Sequence, residues 1–161
     1  MAGVPIYETA IAPEWIDYNG HVRDAYYGLI ASGACDALMD RLGLDAAYRT
    51  RTHCTLYTLE MHVHYLSEVK ARDRVAVDVT VLGSDRKRLH AGFTLRRAPE
   101  GPVAATVEFM LLHVRQGDTP GSAPFPPEVA AAIAALAAAA PAAGFGPGSR
   151  ALRLSGGARS G

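Results

Sequence analysis

From Tyr26 to Leu42 the apolar and small residues Tyr26, Leu29, Ile30, Gly33, Ala34, Ala37, Leu38 and Leu42 return every three or four positions, the spacing of one helix face. Beyond residue 54 the period changes to two. Leu59, Met61, Val63 and Tyr65 alternate with Thr58, Glu60, His62 and His64, and Val75, Val77, Val79 and Val81 alternate with Arg74, Ala76, Asp78 and Thr80, which predicts two half-buried strands. Leu89, Ala91, Phe93 and Leu95 continue the alternation, and the run from Val103 to Val114 is apolar enough for a central strand. A short strand over 4–12 precedes the helix. One strand, one long helix and four successive strands predict an α+β domain in which an antiparallel sheet wraps around a single helix.

The boundaries follow from local chemistry. Asp24 fits an N-cap, Gly43 ends the helix, and a shorter helical turn is expected over 45–50. Gly33 costs about 1 kcal/mol of helix propensity relative to Ala, so close approach of the sheet to Gly33 and Ala34 is the expected reason for it. Gly83-Ser84-Asp85 and Pro99-Glu100-Gly101-Pro102 supply turns between strands. After Gln116 the composition shifts, predicting a domain over 1–126, an alanine-rich surface helix over 127–140 and a flexible tail over 141–161.

Sixteen basic and sixteen acidic residues cancel, which argues against a nucleic-acid partner held by bulk charge. No apolar run approaches the roughly 20 residues of a membrane span, so the expected setting is soluble and cytoplasmic. Cys35 and Cys54 are too few for a disulfide framework and are expected to be reduced packing residues.

The stretch Pro13-Glu14-Trp15-Ile16-Asp17-Tyr18-Asn19-Gly20-His21-Val22-Arg23-Asp24-Ala25-Tyr26-Tyr27 sets a carboxylate and a glycine turn just ahead of the long helix. A helix start carries unpaired N–H groups and partial positive charge, so a carbonyl oxygen held there gains negative charge at low cost. Asp17 is the candidate base or nucleophile. The alternative is that Asp17 caps a turn and Gly20 only permits a positive φ.

That stretch, with Leu56-Tyr57-Thr58-Leu59-Glu60, Tyr65-Leu66-Ser67-Glu68-Val69, Lys87-Arg88-Leu89-His90 and Met110-Leu111-Leu112-His113-Val114, resembles the hotdog-fold acyl-CoA thioesterases of the 4-hydroxybenzoyl-CoA thioesterase type. Within that family it is most similar to the group that cleaves betainyl-CoA in carnitine breakdown. The resemblance spans roughly residues 4–115. It implies a hotdog fold, an acyl-CoA substrate, Asp17 as the catalytic carboxylate and a homodimer or dimer of dimers with clefts between protomers.

Thioester hydrolysis needs a nucleophile or base, an oxyanion site and a cleft, and no cofactor. Backbone N–H groups at Asp24 and Ala25 are the expected oxyanion donors, with the Asp24 side chain turned into its cap. Asn19, Gly20 and His21 shape the loop, with a His21 ring nitrogen expected to bond the backbone. Glu60 and His62 share a strand face that the resemblance sets beside the cleft, where either would orient substrate or assist proton transfer. A permanent trimethylammonium charge is held best by aromatic faces, for which Trp15, Tyr18, Tyr26, Tyr27 and Tyr57 are candidates, Trp15 and Tyr26 foremost. Arg86, Lys87 and Arg88 are the expected contacts for CoA phosphates. His62 and His64 resemble a metal pair, but without a carboxylate or cysteine at convincing spacing no metal is expected.

Overall fold

The computed structural model describes residues 3–148. Its elements are β1 (Val4–Ala10), α1 (Asp24–Arg41), α2 (Ala46–Thr52), β2 (Cys54–Tyr65), β3 (Arg74–Ser84), β4 (Arg88–Arg97), β5 (Val103–Arg115), β6 (Gly121–Ser122) and α3 (Pro127–Ala139). The strands form one antiparallel sheet in the order β1-β3-β4-β5-β2, and the two residues of β6 pair with the end of β5. On the inner face Leu89 lies opposite Leu111, Ala91 opposite Phe109, Phe93 opposite Val107 and Leu95 opposite Ala105. All are buried with Val75, Val77, Val79 and Val81, and α1 joins the same core through Ile30, Ala31, Ala34, Leu38 and Met39. A sheet curled around one long helix is the hotdog arrangement. Among the described residues no helix is long and apolar enough to cross a membrane.

Several local expectations hold for the expected reasons. Gly43 has φ +81 just past the helix, and a Cβ on Gly33 would come within 3.0 Å of the Tyr7 hydroxyl, so β1 is what approaches α1 there. Asp45 caps α2 by accepting the Tyr48 N–H at 2.8 Å. Cys35 and Cys54 are free and buried.

Other expectations are corrected. The buried stripe of α1 is Tyr27, Ile30, Ala31, Ala34, Cys35, Leu38 and Met39, turned by one residue from the expected set, and Leu29 is 50% exposed. The N-cap is Arg23, without a side-chain cap bond, and Asp24 is the first helical residue. β2 is an edge strand, so Leu59, Met61 and Tyr65 remain exposed despite the same alternation that buries β3. The alanine-rich helix is not merely superficial, since Val129, Ile133 and Leu136 enter the core.

The expected flexible tail divides. Residues 149–161 lie outside the described residues, whereas 141–148 run across the outer face of the sheet. A Cβ on Gly92 would come within 2.6 Å of the Phe145 ring, and Thr106 Oγ1 donates to the Pro147 carbonyl at 2.7 Å. Gly92 therefore leaves the space that Phe145 fills.

Candidate active site

After β1 the chain makes a 3₁₀ turn at Pro13–Trp15 and then a tight hairpin bridged between Ile16 and Val22. The Asp17 N–H donates to the His21 carbonyl at 2.8 Å, and the Gly20 N–H donates to the Asp17 carbonyl at 3.0 Å. Gly20 has φ +79 at the tip, a conformation glycine adopts without steric cost. Asp17 Oδ1 accepts the Asn19 N–H at 2.8 Å and the His21 N–H at 3.3 Å. Asp17 thus caps a turn with one oxygen, and Oδ2 takes no hydrogen bond from any described residue. The turn-capping reading of this carboxylate uses Oδ1 alone.

The hairpin returns the chain so that the Arg23 N–H donates to the Trp15 carbonyl at 2.9 Å, and α1 starts at the next residue. At that start Asp24 Oδ1 accepts the Ala25 N–H at 2.9 Å, while the Tyr26 N–H bonds the Arg23 carbonyl at 3.0 Å. Ala25, expected as an oxyanion donor, is therefore engaged by its neighbour's carboxylate. The Asp24 N–H is the first-turn donor without a partner among the described residues. Tyr65 Oη donates to the Asp24 carbonyl at 3.1 Å. Burial, and then the Asp24 charge, push the Tyr65 phenol above its ordinary value, which keeps it a donor.

The hairpin rests on the connection that follows β2. The Val22 N–H donates to the Val69 carbonyl at 2.8 Å, His21 bridges Lys70, and Val69 is buried. His21 Nε2 lies 3.0 Å from Glu68 Oε2, which corrects the expected backbone bond of the ring. No local spacing points to Glu68, since the pairing depends on how the two loops meet. Asn19 and Gly20 are exposed and act through their backbone.

The aromatic expectations shift as well. Trp15 and Tyr26 stack on each other, with ring centroids 5.6 Å apart and planes at 17°, so no slot opens between them. Tyr27 is buried and meets Tyr65 edge-on at 5.2 Å. The exposed rings near Asp17 are Tyr18, at 93%, and Tyr65, at 55%.

The remaining candidates do not gather around Asp17 within one protomer. Met61 meets Gly28 and Tyr65 meets Tyr27 on the α1 side of β2, so strand alternation turns Glu60 and His62 to the opposite face. They do share a face, with His62 Nε2 2.6 Å from Glu60 Oε1, but it is not the face of the α1 start. There they line a cavity of about 200 Å³ with His90, Glu108 and Met110, and His90 Nε2 lies 2.6 Å from Glu108 Oε2. Tyr57 sits eight positions before Tyr65 on β2, about 27 Å away along an extended strand. Arg86, Lys87 and Arg88 lie past the far end of β3, whose 11 residues span about 35 Å. Arg88 Nη2 pairs with Asp85 Oδ2 at 2.6 Å and Lys87 Nζ bonds Ser122 Oγ at 3.1 Å. Arg86 is the member of the run without a side-chain partner among the described residues. His113 is buried and held by Tyr48 Oη and the Ala123 carbonyl, each at 2.9 Å. Among the described residues no three His, Cys, Asp or Glu side chains are arranged to hold a metal ion.

The family profile described as the Thioesterase-like superfamily matches residues 11–133. A betainyl-CoA thioesterase from Pseudomonas aeruginosa is 51% identical over 133 residues, covering 83% of each chain. The crystal structure of a putative thioesterase from Pseudomonas putida is 43% identical, with a TM-score of 0.80 over 96% of this chain and 98% of its own. A hypothetical protein from Staphylococcus aureus, solved in complex with CoA, is 32% identical, with a TM-score of 0.79 over 88% of this chain and 89% of its own.

Proposed function

The chain belongs to the thioesterase-like superfamily and is a thioester hydrolase of the hotdog fold, and from that premise we propose that it hydrolyses a small acyl-CoA, betainyl-CoA first among them. The observation that carries the reading is the split use of Asp17, with Oδ1 fixed by two N–H groups and Oδ2 left for chemistry beside a helix start. The thioester carbonyl oxygen sits at the Asp24 N–H, where the developing oxyanion is stabilised. Asp17 Oδ2 attacks the carbonyl carbon to give an acyl-carboxylate anhydride, or takes the proton of an attacking water. By either route a C–O bond forms, the C–S bond breaks and the thiolate of CoA leaves. On the first route water then opens the anhydride to release the acid and restore the carboxylate, and ¹⁸O from labelled water found in Asp17 after a single turnover identifies that route, with attack at the aspartyl carbonyl. Tyr18 and Tyr65 present the exposed aromatic faces that favour a trimethylammonium group, and the identity to the Pseudomonas aeruginosa enzyme supports that choice.

The site is completed by a second copy. β2 is an open edge strand flanked by exposed Leu29, Leu59, Met61, Tyr65 and Leu66, a combination that seeks a strand partner. Antiparallel pairing of two β2 edges about a two-fold axis sets the far end of one sheet, with Arg86, alongside the Asp17 end of the other. One CoA then reaches both, and the CoA complex of the Staphylococcus aureus relative supports that ligand.

The test is thiol release from a panel of acyl-CoAs by the wild type and Asp17→Asn. Turnover is expected to fall about 100-fold or more in the variant, with folding and CoA-ester binding retained. The isosteric uncharged 3,3-dimethylbutyryl-CoA is expected to be clearly poorer than betainyl-CoA. Near-normal turnover by Asp17→Asn removes Asp17 from the mechanism, and equal specificity constants for the two esters remove cation recognition.

A further inference from the structure

Glu68 lies in one of the segments that carry the resemblance but has no role in the reading above, yet it reaches the loop that carries Asp17. Its carboxylate Oε2 lies 3.0 Å from His21 Nε2, and the His21 N–H is one of the two donors on Asp17 Oδ1. The other backbone group of His21 is also used, since its carbonyl accepts the Asp17 N–H at 2.8 Å. Rotation of His21 therefore moves the Asp17 main chain and the donor on its side chain together.

The base from which Glu68 acts is rigid. The next residue, Val69, is buried and accepts the Val22 N–H at 2.8 Å, while the Lys70 carbonyl accepts the Asp73 N–H at 3.1 Å. The Lys70 N–H donates to Asp73 Oδ2 at 2.8 Å. A side chain mounted on a fixed backbone loses less freedom when it pairs than one on a mobile loop. This explains why a half-exposed pair can orient a loop although exposed ion pairs add little to stability.

We propose that Glu68 is a positioning residue which, through His21, holds the Asp17 loop in the pose that binds Oδ1 and turns Oδ2 to the substrate. The inference rests on the hydrolase reading above. Glu68 touches no reacting atom; its Oε2 makes a polar contact with the His21 ring nitrogen at 3.0 Å, and an amide oxygen on a side chain of the same length can keep that contact.

The experiment measures kcat and KM for betainyl-CoA with Glu68→Ala, Glu68→Gln, His21→Ala and the His21→Ala/Glu68→Ala double variant, beside Asp17→Asn, with thermal midpoints for each. Glu68→Ala is expected to lower kcat about fivefold at a KM within about twofold of wild type, with its midpoint unchanged. Glu68→Gln is expected to recover most of kcat, and the double variant to be no slower than His21→Ala. A wild-type kcat in Glu68→Ala overturns the inference, as does a kcat loss matched by a fall in midpoint, or a double variant slower than His21→Ala. If Asp17→Asn is inactive and Glu68→Ala is normal, the hydrolase reading stands and this inference alone falls. Normal turnover by Asp17→Asn removes both.

Discussion

Oδ1 and Oδ2 of Asp17 differ only in what the next four residues do, and those residues are local enough for the sequence to announce the turn. Gly20 and Gly43 were legible for the same reason, since a positive φ next to a helix boundary depends on neighbours alone. Glu68 was not, because its contact with His21 exists only once two loops far apart in the chain have met. The basic run shows the same limit in reverse: three adjacent cations look alike in sequence, and the fold separates them by partner. Asp85 accepts the Lys87 N–H, the Arg88 guanidinium and the Arg88 N–H, which hold its carboxyl down to about 2 from an ordinary 3.8. Its folded form binds protons less readily than the unfolded chain, so its contribution to stability is present above 3.8 and is lost as pH falls through about 2. The wild type is therefore expected to lose urea resistance more steeply than Asp85→Asn across that acid window. Parallel curves would show that the turn carries no such linkage.

Among elements, the change of apolar period near residue 54 was sufficient to distinguish α1 from the strands that follow. It could not tell an edge from an interior, because β2 and β3 share one alternation and differ only in neighbours. β3 lies between β1 and β4, whereas β2 has β5 alone. The exposed Leu59, Met61 and Tyr65 follow from that difference. Leu29, half-exposed on α1, adds to the same apolar border. Met61→Lys sets a charge at the proposed contact between copies, where burial without a partner is costly. Light scattering is expected to show half the wild-type mass, with activity lost in step. An unchanged mass would exclude β2 as the contact.

At the scale of the molecule, the length of the strands is what divides the candidate residues. Asp17, the α1 start and Tyr65 occupy one end of the sheet, and Arg86 the other, a separation of about 35 Å along β3. Sequence order gives no hint of this, since nothing in the spacing of two motifs says whether a strand runs toward or away from a site. Arg86→Glu is expected to raise KM for betainyl-CoA about fivefold while kcat stays within about twofold, because the phosphates of CoA lie far from the thioester. A fall in kcat at constant KM would relocate Arg86 toward the reaction.

Residues 141–148 touch β3, β4 and β5 in turn on their outer side, with the ring of Phe145 seated over Gly92 and Pro147 tied to Thr106. A band laid crosswise over three staves acts as a hoop. To flatten the barrel-like bend of the wall, that band must first be peeled away, so the curvature that grips the central rod is held from outside as well as from within.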